Sequence, residues 1–331
     1  MAFSFAIVGA TGLVGRTMLK VLEERNVEIG KLKLLASKRS AGKSISFKGE
    51  DYVVEELTEN SFKDVDIALF SAGGETSKYF APFAAKDKAI VIDNSSAWRM
   101  DENCPLVVPE VNPEALKNHN YIIANPNCST MQLVVALKPI MDNFGLDSII
   151  CSTYQSISGA GQKGVDKLTQ EINDHFYSDG SLRIAYNTLF HPLESNGNTN
   201  EENKMHKETR KILGTNDIKT SFTCVRLPIL GGHGESVQVK VKNDTTLSNM
   251  KEIIKSGEGI ELIEEGEKFL YPTTQDAENS DLVYVGRVRK EPDFEKTFDM
   301  WIVSDNLRKG AATNAVQIAI KMIEMGLVAG K

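Results

Sequence analysis

The sequence predicts two domains: an α/β domain on a doubly wound parallel sheet, then an α+β domain whose sheet is mostly antiparallel. Three observations carry that expectation. Short apolar runs alternate with amphipathic helical runs through the first third of the chain, as in a parallel sheet covered on both faces. A glycine-punctuated turn, Gly9-Ala-Thr-Gly12-Leu-Val-Gly15, joins the first apolar run to the first helix. Beyond Asn203 long β-rich runs dominate.

In order, FSFAIVGA reads as the first strand and LVGRTMLKVLEER as the first helix. The strands KLKLLAS, VDIALFSAG and AIVIDNSS follow, with TSKYFAPFAAKD helical between the last two. Tyr121 to Ala124 is a buried strand stopped by Pro126, and Ser129-Thr130 open an apolar helical run through Met131, Leu133, Val134 and Leu137. SIICSTYQSIS is then a strand ending at Gly159-Ala160-Gly161, residues 165–176 a helix, and residues 177–203 a loop-rich stretch. The later strands are SFTCVRLPIL, SVQVKVK, DLVYVGRVRK and TFDMWIVSD. The tail has helical spacing at Ala315, Ile318, Ala319, Met322 and Ile323 and is expected to return to the first domain. The expected boundaries are 1–127 for a Rossmann-like nucleotide-binding domain, 128–308 for the α+β domain, and 309–331 for the returning helix.

Composition bounds the function. A chain of 331 residues with 41% hydrophobic content can form two cores. A net charge of −7 argues against nucleic acid as principal partner, because phosphate backbones demand clustered Lys and Arg. No apolar run approaches the ~20 residues that span a bilayer, and the start lacks the pattern of a signal peptide, so a cytoplasmic location is expected. The four cysteines show no CxxC pair and no ligand spacing, so no metal site is expected.

Chemistry is concentrated at a few places. The glycines Gly9, Gly12 and Gly15 permit a tight turn and the approach of a pyrophosphate to a helix N-terminus. An NAD-selective site would place an acid at the end of the second strand. Here the chain reads Ser37-Lys38-Arg39-Ser40, which suits a 2′-phosphate and favours NADP. The loops Ser71-Ala72-Gly73-Gly74 and Asn94-Ser95-Ser96 follow later strands, where ligands of such sheets bind, and Arg99 would grip an anion from the same mouth. Cys128 stands at a helix N-terminus, whose N–H groups and dipole favour thiolate and support an oxyanion. The ordinary alternative is a packed free cysteine. Its expected proton acceptor is His233, which flanking Gly231-Gly232 and Gly234 should leave open to approach. His119, His175, His191 and His206 read as solvated. Arg226 is a second candidate anion clamp. Glu201 and Lys204, three apart on a helix face, read by spacing alone as a surface ion pair.

In order and separation, GATGLVG, SKRSAGK, DNSSAWRM, NPNCST, QSISGAG, EENKMHKETRKIL, RLPILGGHGES and GAATNAVQ resemble the aspartate-semialdehyde dehydrogenases over nearly the whole chain. The resemblance implies reversible NADPH-dependent reduction of L-aspartyl 4-phosphate to aspartate 4-semialdehyde with release of phosphate, a step toward lysine, threonine and methionine. It implies Cys128 as thioester-forming nucleophile, His233 as acid/base and Gln155 as the residue aligning the acyl carbon. It gives Arg226 the substrate α-carboxylate, Glu201 the α-amino group, Arg99 and Lys204 the phosphate, and Asn127 a substrate contact. Gly9, Thr11, Gly12, Leu13, Val14, Ser37, Arg39, Ser40, Ser71, Gly73, Ser158, Gly159 and Asn314 map to NADP(H), and a homodimer or homotetramer is implied.

Two departures stand out. His233 is followed by Gly234 where the family usually has Ser, which removes a hydroxyl and predicts a more mobile loop. The stretch before Glu201, LESNGNTNE, is polar and Gly/Asn-rich, so the choice of Glu201 over Glu202 rests on spacing from Lys204. N-acetyl-γ-glutamyl-phosphate reductases, with Gly-Cys-Tyr-Pro-Thr around their cysteine, and glyceraldehyde-phosphate-type dehydrogenases, with Ser-Cys-Thr-Thr-Asn, are disfavoured by Asn127-Cys128-Ser129-Thr130. A catalytically silent NADP-binding homologue is disfavoured by the joint presence of Cys128, Gln155, Arg226 and His233.

Overall fold

The computed structural model describes residues 2–264 and 271–330. The chain divides into two compact units, residues 1–127 with 311–331 and residues 128–310.

The first unit contains β1 (Phe3–Val8), α1 (Leu13–Glu24), β2 (Ile29–Ala36), β3 (Ser44–Phe47), β4 (Glu50–Glu56), β5 (Ile67–Phe70), α2 (Gly74–Lys86), β6 (Ile90–Asp93) and β7 (Ile122–Ala124). They form a seven-stranded sheet of order β3-β4-β2-β1-β5-β6-β7, parallel except between β3 and β4. Alternate residues of β1 enter two different cores. Phe5 and Ile7 pack with Met18 and Leu22 of α1 and with Ala315, Ile318 and Met322 of the C-terminal helix, Thr313–Glu324. Ala6 and Val8 pack with Phe62, Phe70, Ala81 and Ala84. Burial on both faces is the physical reason these strands read as continuous apolar runs rather than alternating ones. The β3–β4 hairpin is not among the expected elements. Its signal is the pair Lys48-Gly49, whose φ values of 51° and 81° make the positive-φ turn that two-residue hairpins favour.

The second unit contains α3 (Cys128–Phe144), β8 (Leu146–Gln155), α4 (Gln162–Asn173), β9 (Leu189–Phe190), α5 (Asn200–Leu213), β10 (Lys219–Arg226), β11 (His233–Val241), α6 (Leu247–Lys255), β12 (Ile260–Ile263), β13 (Val283–Lys290) and β14 (Thr297–Ser304). Its sheet has the order β12-β13-β14-β11-β8-β10-β9, with antiparallel pairing dominant and parallel pairing at β8/β10 and β12/β13. Helix α3 is buried without a break from Ser129 to Leu137, the signature of a core helix rather than an amphipathic one. Helix α4 begins before the expected residue 165, because Gly161 at φ 78° supplies its entry turn. Helix α5 is tied at its start by a capping box between Thr199 and Glu202 and ends at Gly214 in the left-handed conformation. Among the described residues no helix is long and apolar enough to cross a membrane.

Candidate active site

In the first unit the glycine turn is dictated by space. Gly9 adopts φ 86°, and a Cβ there would stand 2.7 Å from the Ser71 carbonyl oxygen. A Cβ on Gly15 would run into the Gly9 carbonyl. The turn therefore closes on bare backbone, and Gly12 caps α1 with no side-chain hydrogen bond. A helix N-terminus built this way presents N–H groups where an anion can approach. Thr11, Leu13 and Val14 are half-buried along it. At the end of β2, Ser37 opens a short 3-10 turn over Lys38–Ser40, with Arg39 exposed and Ser40 buried. Ser71 follows β5, and Gly73, at φ 87°, caps α2. Arg99 is not an exposed clamp at rest. It is buried, its Nε donating to the Asn125 carbonyl and its Nη2 to the Asn94 carbonyl, both at 3.0 Å. Asn314 is fully buried, its Nδ2 donating to the Val107 carbonyl at 2.9 Å and to Asn125 Oδ1 at 2.7 Å. Asn127 is buried beside Cys128 in sequence.

In the second unit one transverse row of the sheet gathers the chemistry. Gln155 ends β8 and pairs with Arg226, which ends β10, on one side and with His233, which begins β11, on the other. Paired residues share a face of a sheet, so three positions far apart in sequence are neighbours. That face meets the start of α3. Cys128 Sγ lies 3.2 Å from His233 Nε2. Gln155 Nε2 donates to Ser129 Oγ at 2.8 Å and to Glu201 Oε1 at 3.4 Å, while Glu201 Oε2 accepts from Lys204 Nζ at 2.9 Å. Glu202 is occupied elsewhere: it closes the α5 capping box and accepts from the Cys224 backbone N–H. Of the two glutamates, Glu201 faces the row. The Glu201–Lys204 pair is accordingly a partly buried element of this cluster and not the surface ion pair that spacing alone implies.

Electrostatics follow from burial. His233 is fully buried, and burial together with the neighbouring Arg226 charge pushes its pKa down to about 3. The expectation of an open, mobile histidine loop is corrected here. Gly234 lies inside β11, and its missing side chain makes room for the Trp301 ring rather than exposing His233. Gly159 serves a similar purpose, since a Cβ there would stand 2.7 Å from Arg226 Nη1 and 3.5 Å from His233 Nε2. Arg226 donates to the Ser156 carbonyl, and burial lowers its pKa. Ser158 is buried within hydrogen-bonding distance of Ser156.

His191 and His206 are not solvated as expected. His191 Nε2 lies 2.8 Å from Gln155 Oε1, an oxygen that only accepts, so the ring carries its proton on Nε2. His191 is thus a member of the cluster that the sequence did not single out; no spacing motif marks it. His206 bonds Thr220 Oγ1 at 2.7 Å and packs against Phe222. The other cysteines are inert by comparison: Cys104, Cys151 and Cys224 are buried, and burial raises the thiol pKa of the last two.

A doubly wound unit with a glycine turn, joined to an α+β unit that sets a cysteine against a histidine, defines a two-domain dehydrogenase. Comparison with known proteins agrees. Residues 4–119 match the model described as "Semialdehyde dehydrogenase, NAD binding domain" and residues 137–309 the model "Semialdehyde dehydrogenase, dimerisation domain". The chain is 51% identical to an aspartate-semialdehyde dehydrogenase of Aquifex aeolicus, over 99% of this chain and 100% of that one. It is 48% identical to that of Bacillus subtilis, over 98% of each. The crystal structure of aspartate semialdehyde dehydrogenase II from Vibrio cholerae, complexed with ASA, superposes with a TM-score of 0.93 at 45% identity, covering 98% of this chain and 99% of the other. The chain belongs to the aspartate-semialdehyde dehydrogenase family and is an oxidoreductase.

Proposed function

We propose that the protein catalyses the reversible, NADPH-dependent reduction of L-aspartyl 4-phosphate to L-aspartate 4-semialdehyde through a thioester on Cys128. The observation that carries this reading is the 3.2 Å approach of Cys128 Sγ to His233 Nε2 at the first turn of a core helix. A thiolate there is stabilised by the helix N-terminus and by the nearby Arg226, and the same N–H groups can hold the oxyanion that forms when sulfur attacks the acyl carbon. Attack forms the C–S bond, and collapse of the tetrahedral adduct expels phosphate. Gln155, fixed by Ser129 and His191, orients the acyl group. Arg226 and Glu201 are complementary to the α-carboxylate and α-amino group, and Lys204 and Arg99 to the phosphate. His233 holds or releases a proton at Nε2 beside the sulfur.

The glycine turn fits a dinucleotide: it closes on bare backbone, with a Cβ at Gly9 barred by the Ser71 carbonyl, and no side chain caps α1. Gly9, Thr11, Gly12, Leu13, Val14, Ser71 and Gly73 would hold its pyrophosphate, Ser37, Arg39 and Ser40 its 2′-phosphate, and Ser158, Gly159 and Asn314 its nicotinamide half. When bound, the cofactor supplies the hydride. A Candida albicans aspartate semialdehyde dehydrogenase, 25% identical with a TM-score of 0.79, is solved with NADP, which supports the choice over NAD. The match to a dimerisation domain supports a homodimer assembled through the second unit.

The test follows NADPH formation from aspartate semialdehyde, NADP and phosphate. Cys128→Ala should abolish turnover while leaving NADP affinity intact, and mass spectrometry of protein quenched mid-reaction should find the acyl adduct on Cys128. Wild-type turnover in that variant, or an adduct on another residue, overturns the reading.

A further inference from the structure

We infer that Ser156 and Asn306 are positioning residues for the protons of His233: the Ser156 backbone amide keeps the neutral ring's proton on Nε2, and the Ser156 hydroxyl, oriented by Asn306, is the acceptor for a second proton at Nδ1. The inference rests on the acid/base reading of His233 and adds how the ring is controlled. Three loops meet behind the ring: the turn after β8, the residue before β11 and the segment after β14. The Ser156 backbone N–H donates to His233 Nδ1 at 3.1 Å. A backbone amide only donates, so Nδ1 presents a lone pair, and the single proton of the neutral ring must lie on Nε2, aimed at Cys128 Sγ.

A second proton on the ring needs an acceptor at Nδ1. Ser156 Oγ, 3.2 Å away, is in place for it. A hydroxyl can accept there only if its own proton is committed elsewhere, and Asn306 Oδ1 accepts that proton at 3.0 Å. The Asn306 amide cannot turn over, because its Oδ1 also accepts from the Gly232 backbone N–H at 3.0 Å while its Nδ2 donates to Ser158 Oγ at 3.0 Å. Gly232 is itself fixed, at φ 74° and against Thr274. Two backbone N–H groups, of Gly232 and Ser156, thus anchor a directional chain from Asn306 through Ser156 Oγ to the ring. Asn306 and Ser156 are both buried. The charged and titratable groups that face His233 from the packed elements are Cys128 of α3, Arg226 of β10, Glu201 of α5, and His191 beside β9. The Ser156 amide gives the ring a neutral state with the proton toward sulfur, and the chain from Asn306 through Ser156 Oγ gives it a route to hold a second one.

The test has two readouts on the full-length enzyme. Nitrogen-15 histidine NMR, with His233 assigned by its loss in His233→Gln, should show Nδ1 unprotonated and Nε2 protonated in the resting protein. A protonated Nδ1 overturns the inference whatever the substrate proves to be. In kinetics, Ser156→Ala and Asn306→Ala should each lower kcat about 10- to 100-fold, less than the ~10²–10⁴ lost with the ring itself, with KM little changed. The double variant should be no slower than either single, because both cut one chain. Asn306→Asp keeps the acceptor and adds negative charge, so it should retain most activity and move the His233 limb of the pH profile upward. Additive losses, or a wild-type pH profile in Asn306→Asp, would show that Asn306 merely packs.

Discussion

The glycine turn of the first unit and the Cys128–His233 cluster of the second are built from opposite materials. The turn is backbone: its geometry comes from what Gly9 and Gly15 lack, and its polar surface is the N-terminus of α1. The cluster is side chains held by a sheet row, Gln155, Arg226 and His233, against the first turn of α3. Backbone sites are broken by adding atoms and side-chain sites by removing them. That difference orders the experiments that follow.

Removal should have the largest effect at the cluster. His233→Ala is expected to lower kcat by ~10²–10⁴ with little change in KM, since the ring acts on a proton rather than on substrate affinity. Steady-state kinetics at saturating semialdehyde check this, and an unchanged kcat with chemistry rate-limiting would take His233 out of the mechanism. Addition should dominate at the turn. Gly9→Ala forces a positive-φ residue and a contact with the Ser71 carbonyl, a strain of about 1–3 kcal/mol before any loss of cofactor contact. Its NADP affinity, by calorimetry, should fall at least tenfold, while the alkylation rate of Cys128 in the absence of cofactor changes little. Loss of thiol reactivity in Gly9→Ala, with binding kept, would mean the two regions are not separate devices.

These regions also differ in how much of them can be read from sequence. Glycine spacing is local, so the turn from Gly9 to Gly15 is legible in seven consecutive residues. Cys128 is legible for the same reason, since the stop at Pro126 and the apolar run after it fix the helix start. The row is partly legible: Gln155 and Arg226 fall at strand ends, but pairing them needs sheet register, which no local pattern carries. His233 shows the failure most clearly. Its glycine neighbours read as an open loop, yet Gly234 is small because Trp301 packs across it and Gly232 because its backbone turns against Thr274. Small residues mark close approach as well as exposure, and only the partner distinguishes the two. His191, joined to Gln155 across a long loop, left no signal at all.

A smaller effect probes the wall behind the row. Glu235, two residues along β11 from His233, is fully buried, and among the described residues neither carboxyl oxygen has a hydrogen-bond partner of good geometry, although Gln132 lies near enough to favour the ion somewhat. Burial wins and raises the carboxyl pKa well above its usual range. The folded protein therefore keeps a proton that the unfolded chain releases, so this group's contribution to stability is fully present in acid and is lost as pH rises past the ordinary carboxylate range. Glu235→Gln removes that titration at nearly constant shape. Its melting temperature should exceed that of the wild type by a few degrees at pH 8, and the difference should shrink toward zero near pH 4. A constant or reversed difference would mean the carboxylate is paired in the folded state.

The smallest expected effect returns to the turn and asks whether one side chain there matters at all. Arg39 is exposed at the end of β2, where the ribose 2′ substituent of a dinucleotide would fall. A guanidinium in water contributes less than a buried one, so its contact with a 2′-phosphate should be worth about 1–2 kcal/mol, or roughly five- to thirtyfold in affinity. Arg39→Ala should therefore weaken NADP by about that factor and leave NAD within twofold, and the NADP loss should fade as salt is raised because an exposed pair is screened. Equal losses for both cofactors would place the effect in the turn's backbone, and the glycines alone would then account for cofactor binding.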